Sequence, residues 1–562
     1  MGADRSGRGV IRRAVAGQRR DVVVGSLLGA AHQTGEALVP VLIGLIVDRA
    51  VVRPDGGALA LWLVVLAVVY AMLSYGFRFG ARAGERAAEQ AAHRLRLDVV
   101  RRVLAPHGGA EAGRPPGALV NVATEDARRV GAFNMALTLG IAAVVGVVAG
   151  AVLLLRASVP LGLLVLIGAP VLMALGHYLA RPLEHRSQAE QERAAHASGV
   201  AADLVAGVRV LKGLRAESAA VARYRSTSQA SREANVRAAR AAALQTGLML
   251  TLTGAFIALV ALVGGRLVLS GSIGLGALVS AVGLALFLPG PIAVLAWVGA
   301  ELAKARASAA RIADVLAAPG ETTGGTTEPG PSSGELRLHG LGHAGLHGID
   351  LIVRPGEHLG IVVTDTADAA TLLRCLARRC DPDRGRVELD GTPVTELAPA
   401  ALRSALLVAE HDAQLFDGTL LDNVTAAAPA GADPQPAMAA AAVDEVAATL
   451  PGGTAGRIGE RGSSLSGGQR QRVALARALA ADRPVLVVHD PTTAVDAATE
   501  ARIAAGIRRA RTGRTTVLVT SSPALLAATD RVVLIDGGTI TAEAPHEDLV
   551  RDHPVYRTAV LT

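Results

Sequence analysis

The chain has 562 residues, a length that allows two to four domains. Its composition is 51% hydrophobic, 19% charged and 2% aromatic, with mean hydropathy +0.39, too apolar for an ordinary soluble enzyme and indicative of a partly membrane-embedded chain. The formal charge of +7 comes without a basic, aromatic-bearing patch, which argues against a nucleic-acid partner and fits arginines flanking membrane spans.

The chain opens on the basic, polar stretch "MGADRSGRGVIRR", and no short apolar run with a cleavage site follows, so no cleaved signal peptide is expected. Six apolar stretches near spanning length come next, at about 22–47, 58–77, 133–155, 159–180, 245–265 and 276–299. Short connections follow the first, third and fifth. Long, charged, helix-periodic segments follow the second and fourth, at 78–132 and 181–244. Lys and Arg number 6 in the first 21 residues, 10 and 11 in the two long segments, and 4 in the three short connections together. That bias predicts a multi-pass protein of the cell membrane with the N-terminus, the long loops and everything after the sixth span on the cytoplasmic side. The lipid bilayer is therefore an expected partner.

The first span contains "AHQTGEALVP", in which His32 and Glu36 are four apart on one helical face. Ionisable groups inside a span are costly and face a cavity, a partner or a translocation path. Substrate or proton coupling and a structural polar contact between helices both explain them. Pro289 and Pro291, in "FLPGPIAV", predict a kink in the sixth span.

Residues 317–334, rich in Pro, Gly, Ser and Thr, read as a flexible linker between a membrane domain over 1–316 and a domain over 335–562. From Glu335 onward short apolar strands alternate with helical patterns, which predicts an α/β fold. The fold class is thus an all-α six-helix membrane domain followed by an α/β domain. Cys375 and Cys380 have no second Cys or His pair nearby at zinc spacing, so no metal site is expected. Within this domain "LGIVVTDTADAATLLRCL", residues 359–376, has the strand–turn–helix frame of a phosphate-binding loop without its lysine or its turn glycines.

The stretch "LSGGQRQRVALARAL", residues 465–479, resembles the signature motif of ATP-binding cassette proteins. "RIGERGSS" before it resembles the exporter-type segment that contacts the membrane domain. "RPVLVVHDPTTAVD" after it stands in the place of the Walker B strand and D-loop. "PPGALVNVATEDARRVGAF" and "ADLVAGVRVLKGLRAE" are similar to the intracellular-loop sequences of exporter-type half-transporters. The resemblance covers nearly the whole chain and implies an ATP-binding cassette domain at its C-terminal end.

The resemblance also sets the register of residues 359–376. Where the family loop reads G-x-x-G-x-G-K-S-T, Val363, Thr366 and Asp368 stand for the glycines, Ala369 for the Lys, Ala370 for the Mg²⁺-binding Ser, and Thr371 for the final Thr. Losing the Lys removes charge-assisted hydrogen bonds of about 1.5–3 kcal/mol each. A carboxylate about 4 Å from a phosphate charge repels it by about 4 kcal/mol at an effective dielectric of about 20. Asp368 is read as a built-in anion that caps the following helix in place of phosphate. His489 replaces the Walker B Asp, although Mg²⁺ prefers oxygen ligands. Asp490 replaces the Glu that polarises water, Ser521 the switch His, and His411 the Q-loop Gln. His343 stands where an aromatic stacks on adenine.

Taken singly, most of these changes are bland: a loop His is usually solvated, and a His at a strand end is usually a satisfied core residue. Together they fall on one nucleotide site. Leu465, Ser466, Gly467, Gly468, Gln469 and the D-loop Asp496 are intact, and in the family these serve the opposite subunit's site or the domain interface. The resemblance therefore implies the nucleotide-degenerate half of a heterodimeric transporter that exports a small molecule, peptide or lipid, its partner being a second half-transporter whose Walker motifs are intact. ATP and Mg²⁺ would act at a composite site, and the chain alone is expected to be inactive. The alternative is a non-hydrolysing membrane scaffold, regulator or immunity protein. A slowly turning homodimer fits the lost Lys and Mg²⁺ ligands least.

Overall fold

The computed structural model describes residues 6–51, 55–322, 324–328, 330, 332–411 and 414–561. They form two compact units, Met1–Arg102 with Arg114–Ala317, and Val103–Gly113 with Ala318–Thr562.

The first unit is helical throughout. It comprises α1 (Gly7–Ala16), α2 (Arg19–Ile46), α3 (Gly56–Val103), α4 (Pro116–Asn121), α5 (Ala127–Ala157), α6 (Val159–Ala206), α7 (Val208–Gly213), α8 (Glu217–Leu269), α9 (Leu275–Phe287) and α10 (Pro289–Ala317). Single π-helical turns follow α2 and precede α5. Six stretches are long and apolar enough to cross a membrane: Arg19–Ala50, Gly56–Val103, Pro116–Ala157, Val159–Gly176, Glu217–Leu269 and Leu275–Ala317. The second, fourth and fifth apolar stretches and their charged neighbours are continuous helices. Period 3.6 persists across the change in polarity, so nothing ends the helix where the apolar residues stop. The 53 residues of α8 extend about 80 Å at ~1.5 Å per residue, far more than the ~30 Å hydrocarbon core. The sixth stretch is broken at Leu288, where Pro289 supplies no backbone N–H to the preceding turn.

Small residues let these helices approach closely. A Cβ on Gly44 of α2 would lie 2.2 Å from both the Gly276 carbonyl and Ser280 Oγ of α9. Beside this contact, the Asp48 carboxylate accepts the Gly276 amide at 2.7 Å. Elsewhere the buried Asp126 carboxylate receives both arms of the Arg311 guanidinium, which ties the π turn before α5 to α10.

In the second unit the strands are β1 (Leu336–His343), β2 (Leu346–Val353), β3 (His358–Val363), β4 (Arg384–Leu389), β5 (Thr392–Pro393), β6 (Leu406–Ala409), β7 (Val485–His489), β8 (Thr515–Val519), β9 (Arg531–Asp536) and β10 (Thr539–Ala544). The helices are α11 (Thr366–Leu376), α12 (Pro399–Ala405), α13 (Leu420–Thr425), α14 (Gln435–Ala440), α15 (Val443–Thr449), α16 (Gly467–Ala480), α17 (Ala497–Ala510), α18 (Pro523–Leu526), α19 (His546–Asp552) and α20 (Pro554–Leu561). One sheet has the order β2-β1-β4-β5 and the other β10-β9-β3-β8-β7-β6. In the larger sheet β9, β3, β8, β7 and β6 are parallel and β10 closes one edge antiparallel. The central strands are near-continuous apolar runs, as a sheet covered on both faces requires.

The linker is fastened to this unit rather than free. The Thr327 amide donates to the Glu396 carbonyl at 3.0 Å and the Thr327 carbonyl accepts the Ala398 amide at 2.9 Å, on either side of Leu397, and Ser332 and Ser333 both donate to Asp390 at 2.5 Å. Residues 103–113 belong here too: the Glu321 amide donates to the His107 carbonyl at 2.9 Å, and Arg403 to the Pro106 carbonyl at 2.6 Å.

Candidate nucleotide site and signature helix

Strand β3 carries the chain to the C-terminal edge of the parallel sheet, where the ends of β7, β8 and β9 also converge, the usual place for a ligand in such a fold. Asp365 then takes an extended conformation, φ −105° and ψ 125°, and its carboxylate accepts the Ala367 amide at 2.7 Å. Asp365, not Asp368, is therefore the N-cap of α11. Without glycines, the alanine-rich "TADAATLL" enters the helix at Thr366, which places Asp368 inside the first turn. Its buried carboxylate instead packs on the β1–β2 turn, where a Cβ on Gly345 would come within 1.9 Å of Oδ1. Thr371 donates its hydroxyl to the Ala367 carbonyl at 2.8 Å.

A cavity of about 620 Å³ opens at this edge, and Val363, Thr366, Ala369, His489, Asp490 and Ser521 line it. Among the described residues its lining includes no lysine or arginine, while Asp490 and Asp536 contribute carboxylates. A triphosphate with Mg²⁺ needs the reverse: cationic or amide donors for the phosphates and hard oxygens aimed at the metal. Asp490 has φ +42°, a strained conformation for a non-glycine residue, and its carboxylate lies 3.5 Å from His489 Nε2. His411 meets His489 edge-on with ring centroids 6.1 Å apart, outside the cavity wall. His343 lies elsewhere, on β1, where its Nδ1 meets Asp383 Oδ2 at 2.9 Å beside a separate cavity of about 580 Å³. Asp368, Ala370 and Thr371 do not line the first cavity either. Among the described residues no group of three or more His, Cys, Asp or Glu side chains could hold a metal ion. Burial, with Cys380 Sγ 3.7 Å away, pushes the Cys375 thiol up to about 12.

The signature segment is built differently. Leu465 is buried and anchors the turn. Ser466 caps α16 reciprocally with Gln469: its hydroxyl accepts the Gln469 amide at 3.3 Å, and Gln469 Oε1 accepts the Ser466 amide at 2.8 Å. Gly468 admits the D-loop, since a Cβ there would lie 2.4 Å from the Ala494 carbonyl. Gln471, which sequence reasoning passed over, clamps the two together. Its Oε1 accepts the Ala494 amide at 2.9 Å and its Nε2 donates to Thr493 Oγ1 at 2.6 Å. Its position two residues after the motif was the available signal. Asp496 caps α17 through the Thr499 amide at 3.0 Å, and the Thr499 donors hold its carboxyl below the ordinary value.

In the membrane unit the structure brings His32 and Glu36 together, with Nε2 and Oε2 3.8 Å apart. Gln33 joins them, donating to Glu36 Oε2 at 3.2 Å.

Two family models match the chain: the ABC transporter transmembrane region over residues 22–292, and the ABC transporter domain over residues 346–493. A multidrug efflux ATP-binding/permease protein of Mycobacterium tuberculosis is 32% identical over 548 residues, 96% of this chain and 46% of that protein. An ATP-dependent lipid A-core flippase of Alkalilimnicola ehrlichii is 33% identical over 288 residues, 50% of this chain and 49% of that protein. The structure of a bacterial Atm1-family ABC exporter with ATP bound shares the fold, with a TM-score of 0.74, 22% identity and 98% of each chain covered. The chain belongs to the ABC transporter family, with a six-helix membrane domain followed by a cassette domain. It spans about half the length of the curated relatives it matches.

Proposed function

We propose that this chain is one half of an ATP-driven transporter of apolar or amphiphilic molecules, working as an exporter. It lies in a membrane with its cassette in the cytoplasm and pairs with a second half whose nucleotide loop is intact. The observation that carries this reading is the contrast within one cassette. The cavity at the end of β3 is lined by carboxylates, imidazole and methyl groups, while the start of α16 keeps every residue of the signature.

At α16 the chain's own contribution is positional. The amides of Gly467 and Gly468 lie in the first turn of a 14-residue helix, whose positive end favours a phosphate presented from a facing cassette. ATP bound by the partner would supply the phosphate charge that draws the two cassettes together. Gln471 keeps the D-loop fixed against α16, so the signature and Asp496 move as one piece. The long helices α3, α6 and α8 reach well beyond any membrane span and are stiff enough to pass that motion on. Two further facts support the pairing: the chain spans only half of the M. tuberculosis protein, and a homodimer would hold two copies of the unsuited cavity.

The test is ATPase activity in lipid, for this chain alone and with the most similar half-transporter encoded beside it, each with and without Ser466→Arg. Activity is expected only in the mixed complex, and Ser466→Arg should lower it about 100-fold, as loss of preorganised phosphate contacts does. Activity of the chain alone, or activity indifferent to Ser466, would overturn the reading.

A further inference from the structure

We propose that Cys375 and Cys380 form a reversible redox modification site on the cassette: a dithiol that exchanges with a small-molecule disulfide and closes into an intramolecular bond. They are the chain's two cysteines, and their Sγ atoms lie 3.7 Å apart. The site lies wholly within the cassette unit, so it does not depend on the transporter reading.

The spacing comes from how α11 ends. Cys375 lies in its last turn, on the face that packs into the cassette core, and is 1% exposed. The Arg379 amide donates to the Arg374 carbonyl at 2.8 Å and the Arg378 amide to the Cys375 carbonyl at 3.1 Å, with Arg378 at φ +48°. That is a Schellman ending, which turns the chain back across the helix. It brings the half-buried Cys380 against the same core, beside Cys375. Both residues before Cys380 are anchored. The buried Arg378 guanidinium donates to the Leu397 and Thr395 carbonyls, each at 2.8 Å, and Arg379 pairs with Glu410 at 2.7 Å. The turn therefore holds the two sulfurs together. To reach a disulfide length of ~2.05 Å they close by about 1.6 Å, an adjustment for which χ1 rotation is the available freedom.

Exposure divides the work between the two thiols. Cys380 is the one that solvent reaches, whereas burial first, and the neighbouring Cys380, keep Cys375 protonated. The Cys380 thiolate attacks one sulfur of a disulfide RSSR, breaks its S–S bond and expels RS⁻. Cys375 then gives its proton to that RS⁻. Its sulfur attacks Cys380 Sγ, breaks the mixed S–S bond and expels a second RS⁻, which takes the proton that Cys380 had lost to solvent. The protein dithiol has lost two electrons and RSSR has become two RSH. Among the described residues no third His, Cys, Asp or Glu joins the pair to hold a metal ion, so covalent chemistry suits it better. In a reducing compartment such a bond is a transient mark rather than a permanent staple. It would fix the end of α11 to the turn that Arg379 ties to Glu410, one residue before His411.

The experiment uses the full chain in cysteine-free lipid nanodiscs, equilibrated with mixtures of reduced and oxidised glutathione. Samples are acid-quenched, unfolded, alkylated with N-ethylmaleimide and weighed by mass spectrometry. As the oxidised share rises, the wild type should pass to a species that lacks two hydrogens and takes no maleimide. Cys375→Ser should stop as a glutathione adduct on Cys380. Cys380→Ser should stay reduced, because its remaining thiol is buried. The folded chain should reach half-oxidation in a mixture at least about tenfold more reducing than the same chain needs in urea, since the fold holds the sulfurs together. Cys375→Ala, which deletes only the sulfur, stands in if the serine variant does not fold. A wild type that stops at the glutathione adduct, forms bonds between chains, or oxidises no more readily folded than unfolded would overturn the proposal.

Discussion

At the residue scale the informative pair is Asp365 and Asp368. Both put negative charge near a helix start that a phosphate loop would leave open. Only Asp365 has the extended backbone from which a carboxylate can turn back onto the Ala367 amide. Asp365→Ala should therefore cost about 1 kcal/mol, the value of an N-cap, and lower Tm by roughly 2–4 °C for a domain of this size. Asp368→Ala should cost less; a larger loss at Asp368, measured by thermal unfolding, would return the cap to it. The residue types along 359–376 were legible from the sequence, because a motif is read position by position. Which aspartate caps was not legible. It depends on where the helix begins, and three residues of earlier helix decide between them.

At the element scale, sequence periodicity located the apolar stretches but not the helix ends. The spans read at 58–77 and 159–180 lie within helices of 48 residues each. Hydropathy marks where a helix leaves apolar surroundings, whereas helix ends depend on caps and breakers. The sixth stretch, with Pro289, was the one span whose break the sequence carried. Close packing of α2 on α9 was invisible, because a glycine in a span does not announce its neighbour. Gly44→Ala would push a methyl into the Gly276 carbonyl and Ser280 Oγ, and overpacking of this kind costs about 1–3 kcal/mol. The expected outcome is a lower unfolding temperature in lipid for Gly44→Ala. Gly247→Ala is the control, since its Cβ meets nothing within 4 Å. Equal temperatures for the two would refute the close contact.

At the scale of the whole molecule, the chain divides into a membrane unit and a cassette unit, each with its own core. The cassette core includes a buried histidine: His358 is 5% exposed and sits 3.2 Å from the Arg511 carbonyl. Burial first, and the nearby Arg508 and Arg511 charges, depress its pKa below the ordinary 6.5, while the Arg511 carbonyl and Asp530 oppose the shift. A depressed pKa means that the folded state holds the proton less tightly than the unfolded chain. The stabilisation is therefore present above about pH 6.5 and is lost as the pH falls through the lower folded value. The cassette's unfolding temperature should drop on moving from pH 7 toward pH 5, before carboxylates near pH 4 titrate. His358→Gln should flatten that slope. A slope unchanged in His358→Gln would assign it to other groups.

The sequence by itself determined the class of protein and its organisation as a six-helix membrane domain followed by an α/β cassette domain. These are local properties, carried by hydropathy over about twenty residues or by motifs read in order. Only the tertiary structure decided that Asp365 caps α11, that Asp368 packs on Gly345, and that His343 and His411 lie outside the cavity that His489 and Asp490 line. It also decided that Gln33 and the Leu73 carbonyl complete the polar cluster around Glu36. Each of those facts depends on a contact between residues far apart in the chain or on the direction of a side chain. Both are set by packing, which minimises voids and unpaired polar groups across the whole unit, and no local pattern encodes the result.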